Sequence, residues 1–496
     1  MPKHTRPVGA VTPTYERLER ESPLGFRVKL AQGIGAVPDT VMNWAFNTFV
    51  LLYYNQLLGV DALLVSAALG VAIFADAFID PLIASISDHL KSRWGRRHPL
   101  MFAGALPLGF LTFAVFAPPA GLSSPGLFAW LTLTVLLTRA ACSLFFVPWA
   151  AISAELSDDY DERTSIMSYR YAVGWASAVF TPFFVFGVLM PATRAHPIGQ
   201  LDASHYPAMA ACVGAMMTIA GLATTFFTRR QIPYLRQPTM TTPFSWTRPT
   251  RELVEALSNR QFALIFVIVL MASAIGGVTA NIDIYMNTFF WGLDTAALQW
   301  FALVAVGAAA AFPLIAAIQR RWEKRDALLL TSWVSLAQGM GVVALRFAGA
   351  LPPNGSPALL AILILNAAVG SAMLVVQGVI GASVIGDILD QHELQTGLRQ
   401  EGMFWAAIFL SIKAISGLGI VFGGLVLKLV NLPAHADPAH VAHATVNRLG
   451  FIVGILVPLF YAVPIWLIGR YRITRRVHAE IQAALAQRRG LAQASP

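Results

Sequence analysis

Asp76 and Asp80 lie four residues apart inside one apolar run. Four residues is about one helical turn, so both carboxylates share a helix face. Two acids that close do not both ionise cheaply in a dry site. Either a cation sits between them or one keeps its proton. The chemistry implied is capture and release of a small cation, Na+ or H+. Pro81 follows directly, and an opening of the helix there would free backbone carbonyls as further ligands. Lys413 lies deep in a different apolar run, where it needs an acid partner or loses its proton. Asp39, Arg139 and Asp283 are the other ionisable groups deep in apolar segments, with Arg170 near the start of one. Charges in a bilayer are costly, so each is read as functional. Arg346 and Lys428 sit near segment ends, where snorkelling explains them.

The elements that must hold these groups are membrane-spanning helices. The chain has 496 residues, 56% hydrophobic and 12% charged, about half the ~25% charged share of soluble domains. Mean hydropathy is +0.62. Too few charges remain to clothe soluble domains, which excludes a soluble enzyme, a nucleic-acid reader and a disordered scaffold. A span needs about 20 apolar residues. Twelve stretches qualify: 29–58, 63–85, 99–117, 126–154, 165–190, 206–228, 260–290, 296–318, 326–347, 356–385, 402–431 and 446–468. No short apolar segment with a cleavage site precedes them, so the first span is expected to act as an uncleaved insertion signal. Cys142 and Cys212 both fall in apolar segments, so neither a disulfide framework nor a cysteine metal site is expected.

Of the 35 Lys and Arg, 29 fall at the two tails and every second loop. That asymmetry predicts cytoplasmic termini on both ends and a multi-pass protein of the cytoplasmic (inner) membrane. The net charge of +9 is thus topological and asks for no nucleic acid. The divisions expected are an N-terminal tail 1–28, a six-helix half 29–228, a central cytoplasmic loop 229–259, a second half 260–470 and a C-terminal tail 471–496. The central loop carries Pro233, Pro238, Pro243 and Pro249, with a short helix expected over 251–259. In the last tail, Ile473, Val477, Ile481 and Leu485 step by four among arginines. This reads either as an amphipathic helix on the inner leaflet or as a solvated one.

The halves echo each other. Arg93-Trp94-Gly95-Arg96-Arg97 returns 228 residues later as Arg321-Trp322-Glu323-Lys324-Arg325. Asp158, Asp161, Glu162 and Arg163 are echoed by Asp387, Asp390, Glu393 and Arg399. A repeat of six spans keeps its orientation, which implies a pseudo-two-fold axis along the membrane normal and a central cavity. The fold expected is therefore all-α, twelve transmembrane helices in two pseudo-symmetric halves. The acid pair lies in one half and Lys413 in the other, so they are expected to meet across the cavity. The cytoplasmic gate candidates are Asp88, Arg93, Arg96, Arg97, Asp158, Glu162, Arg163, Asp387, Asp390, Glu393 and Arg399. Exposed pairs contribute only ~0–1 kcal/mol each, so a gate needs a network. Cavity candidates include Trp44, Trp149, Trp175, Trp405, Asn43, Asn47, Asn281 and Gln377. Asp283 is expected either to pair with Arg139 or to face the cavity.

Several stretches resemble the glycoside–pentoside–hexuronide:cation symporters of the major facilitator superfamily, whose best-known members are the melibiose permeases. These are Asp76-Ala-Phe-Ile-Asp80-Pro81 with Asp88 and Arg93 through Pro99; Lys29 through Tyr54; Val147-Pro148-Trp149 through Arg170; and Gly386-Asp387 through Lys413. The resemblance implies that Asp76 and Asp80 are cation-site acids, that Lys413 lies near that site, and that Trp149 and Arg170 help form a sugar site. Two sugar-contacting acids of the melibiose permeases are unmatched. Thr40 stands at one, beside Asp39, and Phe145 at the other. The resemblance thus implies a glycoside without fixing a galactoside, and leaves Na+ and H+ both open. The substrate-binding candidates are Asp39, Thr40, Trp149, Arg170 and Asp283.

The function expected is cation-coupled symport of a sugar or glycoside by alternating access, by a monomer in a lipid bilayer without other cofactor. A rival is transport of an amphipathic lipid-like or drug-like solute, towards which Phe145 and Phe146 lean. No histidine cluster, nucleophile motif or phosphate loop supports an enzyme.

Overall fold

The computed structural model describes residues 15–16, 22–90, 92–157, 159–193, 196–235, 237–238, 257–397 and 401–494. Asp158 and Arg399 lie outside the described residues. So do Lys91, Pro243, Pro249 and most of the short helix expected over 251–259.

Eleven helices among the described residues are long and apolar enough to cross a membrane. The difference from the twelve expected lies in the first span. It is helical in pieces: α1 (Phe26–Ile34), α2 (Val37–Ala45), then π-helical turns at Phe46–Val50 and Tyr53–Leu57. The break falls at Gly35, where a Cβ would lie 2.1 Å from Trp149 Nε1. Only glycine lets the backbone come that close. Pro38 then occupies the first turn of α2, where its missing N–H costs nothing.

The long helices are α3 (Ala62–His89), α4 (His98–Phe116), α5 (Ser124–Glu155), α6 (Tyr160–Phe184) and α7 (His205–Thr228) in the first half. The second half has α8 (Arg260–Tyr285), α9 (Val304–Arg321), α10 (Lys324–Phe347), α11 (Pro357–Thr396), α12 (Glu401–Val430) and α13 (His443–Phe451), continued by further turns to Ile468. Several starts are set by a polar residue just outside the apolar run. Asp61 accepts from the amides of Leu63 and Leu64, Asp159 from Glu162, and Asn259 from Gln261 and Phe262. Each satisfies orphan helix donors. Gly397, at φ 76°, ends α11. Helix α3 runs unbroken through Pro81, so the opening expected there does not occur. The proline removes a single helical hydrogen bond, the one to the carbonyl of Ala77.

The apolar core has an uneven distribution. Near the end opposite the basic loops, one cluster draws on both halves, including Phe49, Tyr54, Phe116, Tyr206, Tyr285 and Phe290. Near the basic end there are two clusters. One is built from the first half around Phe145, Trp149 and Ile166, the other from the second half around Phe262, Val376 and Phe404. The halves are therefore welded at one end and packed separately at the other. Helices α3 and α12 form one seam, where a Cβ on Gly70 would meet Val421 at 2.5 Å.

The C-terminal helix, α14 (Arg475–Ala494), is neither membrane-laid nor solvated on its apolar side. Ile473, Ile481 and Leu485 are buried in the second-half core. Gln482 Nε2 donates to Asp390 at 2.6 Å, and Arg488 donates to the Leu394 carbonyl at 3.0 Å. Helix α11 extends far enough past the expected span to receive it.

Candidate functional site

The central charged cluster is built from four helices. Arg139 of α5 donates to Asp76 Oδ2 of α3 through Nε at 2.8 Å and Nη2 at 2.6 Å. Both side chains are deeply buried, 10% and 3% exposed. Lys413 of α12 donates to Asp80 Oδ2. That pair is more accessible, its side chains 39% and 23% exposed. It also joins the two halves. Asp39 of α2 completes the cluster. Arg139, Lys413 and Asp76 all act on it electrostatically, and Asn43 Nδ2 donates to its Oδ1 at 3.0 Å. Three carboxylates thus face two bases. Asp76 Oδ1 and Asp80 Oδ1 accept no hydrogen bond from the described residues.

Arg139 therefore pairs with Asp76, and Asp283 does not pair with it. Asp283, of α8, lines a cavity of about 390 Å³ between the halves, with Trp44, Thr48, Trp175, Asn287 and Ser371. Its side chain is exposed to that space. Its hydrogen bond comes from Asn287, one turn on, at 3.1 Å.

Other sequence candidates sit elsewhere. Trp149 is 1% exposed. Its Nε1 donates to the Gln32 carbonyl at 2.9 Å, and Phe145 and Phe146 pack against its ring. Arg170 lies over the same indole at 4.0 Å and donates to Ser153 at 2.9 Å. Gln32 Nε2 donates to Ser153 and to the Trp149 carbonyl. In this structure Trp149 and Arg170 bind each other and tie α1, α5 and α6 together. Phe145 is fully buried in that core and gives the central cavity no greasy wall. The Thr40 hydroxyl is turned back to its own helix, donating to the Ala36 carbonyl at 2.9 Å. Gln377 donates to Ser335, and Trp405 stacks on Phe409.

At the basic end, the described ion pairs stay within their own halves. Arg96 and Arg97 converge on Glu155 at 2.7 and 2.5 Å, with Asp88 within 3.5 and 3.2 Å of them. Glu162 accepts from the Leu24 amide and lies 3.7 Å from Lys29. Arg163 Nε donates to the Ser157 carbonyl at 2.7 Å. Arg93 is exposed. In the second half, Lys324 holds Asp387 at 2.7 Å, and His478 lies 3.4 Å from Asp387 and 3.1 Å from Asp390. Glu393 is partnered as well. The two halves repeat one device, a basic loop clasping the acid at the end of a long helix.

Sequence reasoning missed the seal at the opposite end. Tyr285 Oη donates to the Leu51 carbonyl at 3.1 Å and to Asn55 at 3.2 Å. Gln56 donates to the Pro433 carbonyl and accepts from the Ala436 amide. Gln200 donates to Thr288 and to the Leu293 carbonyl. Every one of these bonds crosses between halves, and none involves a charge. A signal did exist: Asn47-Thr48-Phe49 returns as Asn287-Thr288-Phe289, and both copies form π-helical turns. Such turns recur at functional sites.

The family described as MFS/sugar transport protein matches residues 31–475. The putative glycoside/cation symporter YagG of Escherichia coli is 23% identical, over 95% of this chain and 98% of its own. The isoprimeverose transporter of Lactiplantibacillus pentosus is 23% identical, over 92% of each. Among solved structures, a mutant of the nucleoside transporter NupG superposes with a TM-score of 0.64 at 12% identity, covering 90% of this chain and all of that one, which shows a shared fold. Matched along nearly its whole membrane-spanning length, the chain belongs to the MFS/sugar transport protein family and is a multi-pass membrane transporter rather than an enzyme.

Proposed function

We propose that the chain moves a polyhydroxylated, glycoside-like solute together with one monovalent cation, by alternating access, as a monomer in the cytoplasmic membrane with both termini inside. The observation that carries this reading is the Lys413–Asp80 pair. It bridges the halves and is accessible, its side chains 39% and 23% exposed, while Asp76 is already held by Arg139. Three acids against two basic groups leave one carboxylate of this cluster without a counter-charge, and such a charge is costly in a membrane until a cation neutralises it. A cation arriving at Asp80 competes with Lys413, so its binding changes a contact between the halves. Arg139 holds Asp76 Oδ2 and leaves Oδ1 of Asp76 and of Asp80 to the cation, so both Na+ and H+ fit this arrangement. The basic end is the inside under this topology, and the separate cores there correspond to an inward-open state.

Proteoliposome uptake driven by a sodium gradient alone or a proton gradient alone tests the coupling. Asp80→Asn should abolish uphill uptake and leave counterflow. Undiminished uphill uptake by that variant sinks the reading. A second reading, an amphipathic solute, has one observation behind it. An apolar groove formed by Trp175, Ala176, Val179, Phe180, Phe183 and Ala302 shares three of those residues with the cavity. Stabilisation of the purified protein by lysolipids but by no glycoside would favour it.

A further inference from the structure

Two Asp–Asn pairs spaced by one turn face the interior, Asp39 with Asn43 and Asp283 with Asn287. Their surroundings differ in one respect. Asp39 has Arg139 and Lys413 within electrostatic reach. Asp283 has no Lys, Arg or His within 4.0 Å among the described residues, and the cavity it lines has none in its wall. An unpaired carboxylate is tolerable while the cavity holds water. It becomes expensive when the halves close over a solute and the water leaves, and it is then met either by a proton or by a counter-charge on the solute inside the cavity. The wall is suited to supply the rest of a cation's needs. Trp44 is held edge-on by Phe49 and Phe186, with ring centroids 5.4 and 5.9 Å away, and Trp175 stands on the facing helix α6. Indole faces attract ammonium groups. Thr48, Asn287 and Ser371 add neutral hydrogen-bonding groups for hydroxyls.

We infer that the solute carries a protonated amine as well as hydroxyls, an aminated sugar or glycoside, and that Asp283 is its anchor. This rests on the reading that the cavity between the halves is where the solute sits. It goes further in naming a charge on the solute and the residue that selects it. The separate coupling cation stays at the Asp80–Lys413 pair.

Three disaccharides of one skeleton test it: β-1,4-linked glucosamine dimer, its fully N-acetylated form, and cellobiose. They present an ammonium, an acetamide and a hydroxyl at the same position. Binding to the purified full-length protein is read by calorimetry and by tryptophan fluorescence, at a pH where the amines are protonated. The aminated dimer should bind at least about tenfold more tightly than the other two. Asp283→Asn should erase that preference, and Asp283→Glu should retain it. Failure of the aminated dimer to bind, or equal binding of all three, overturns the inference. So does an amine preference that survives in Asp283→Asn. Cation-driven uptake and its loss in Asp80→Asn are measured separately, so either conclusion can fail alone.

Discussion

Replacing Arg139 by methionine removes the guanidinium and keeps an unbranched apolar side chain. Asp76 is 2% exposed, and the two donors on its Oδ2 are both Arg139 nitrogens. The variant would leave a carboxylate with no hydrogen-bond donor among the described residues. Breaking one side of a buried pair costs about 3–5 kcal/mol, enough to destroy thermal stability in detergent and to silence uptake. The double substitution Arg139→Met with Asp76→Leu removes both charges, and should recover most of the loss, since apolar replacement of a buried pair is often neutral. Sodium adds a second reading. The vacated space beside two acids would admit a metal ion, and a ligand present at a hundred times its Kd returns about 2.7 kcal/mol. Melting midpoints are to be compared in sodium and choline chloride at equal ionic strength. Arg139→Met should be stabilised by sodium more than wild type is. A single variant as stable as wild type in choline, or a double variant no better than the single, would refute the reasoning.

Other consequences can be checked separately. Trp149→Ala should cost about 3–5 kcal/mol as a large buried side chain, and lower the amount of folded transporter while leaving the apparent KM unchanged. A raised KM at full stability would return Trp149 to the solute. Tyr285→Phe deletes the hydroxyl that reaches Leu51 and Asn55. At about 1 kcal/mol net, it should raise deuterium exchange over residues 51–56 several-fold, and unchanged exchange would mean this end is not sealed by these bonds. Ile481→Glu forfeits roughly 1.5–3 kcal/mol of apolar burial and should speed trypsin cleavage at Arg475 and Arg476. Unaltered protection would show that the tail helix does not depend on its docking face.

The membrane class and the helical content were legible in composition and spacing, because the bilayer permits little else. Apolar runs of sufficient length must become helices there. The cost of burying a charge also singled out Asp76, Asp80, Lys413 and Asp283 without any coordinates. The first span was harder. Its hydropathy reads as one continuous helix, whereas the break at Gly35 exists to admit Trp149 from another helix. The same contact decides the fate of Trp149, which as a residue type is equally suited to stacking on a sugar or filling a core.

What the sequence by itself determined is which groups are too costly to be idle in a bilayer, since that cost depends on residue type and depth alone. Which of them neutralise one another was decided by the tertiary structure. Pairing depends on rotation and approach of helices far apart in the chain, Arg139 reaching Asp76 across 63 residues and Lys413 reaching Asp80 across 333. The neutral seal of Asn55, Gln56, Gln200 and Tyr285 belongs to the same category. Amides and phenols carry no charge for hydropathy to register, and they acquire meaning only when packing brings their partners within hydrogen-bond distance.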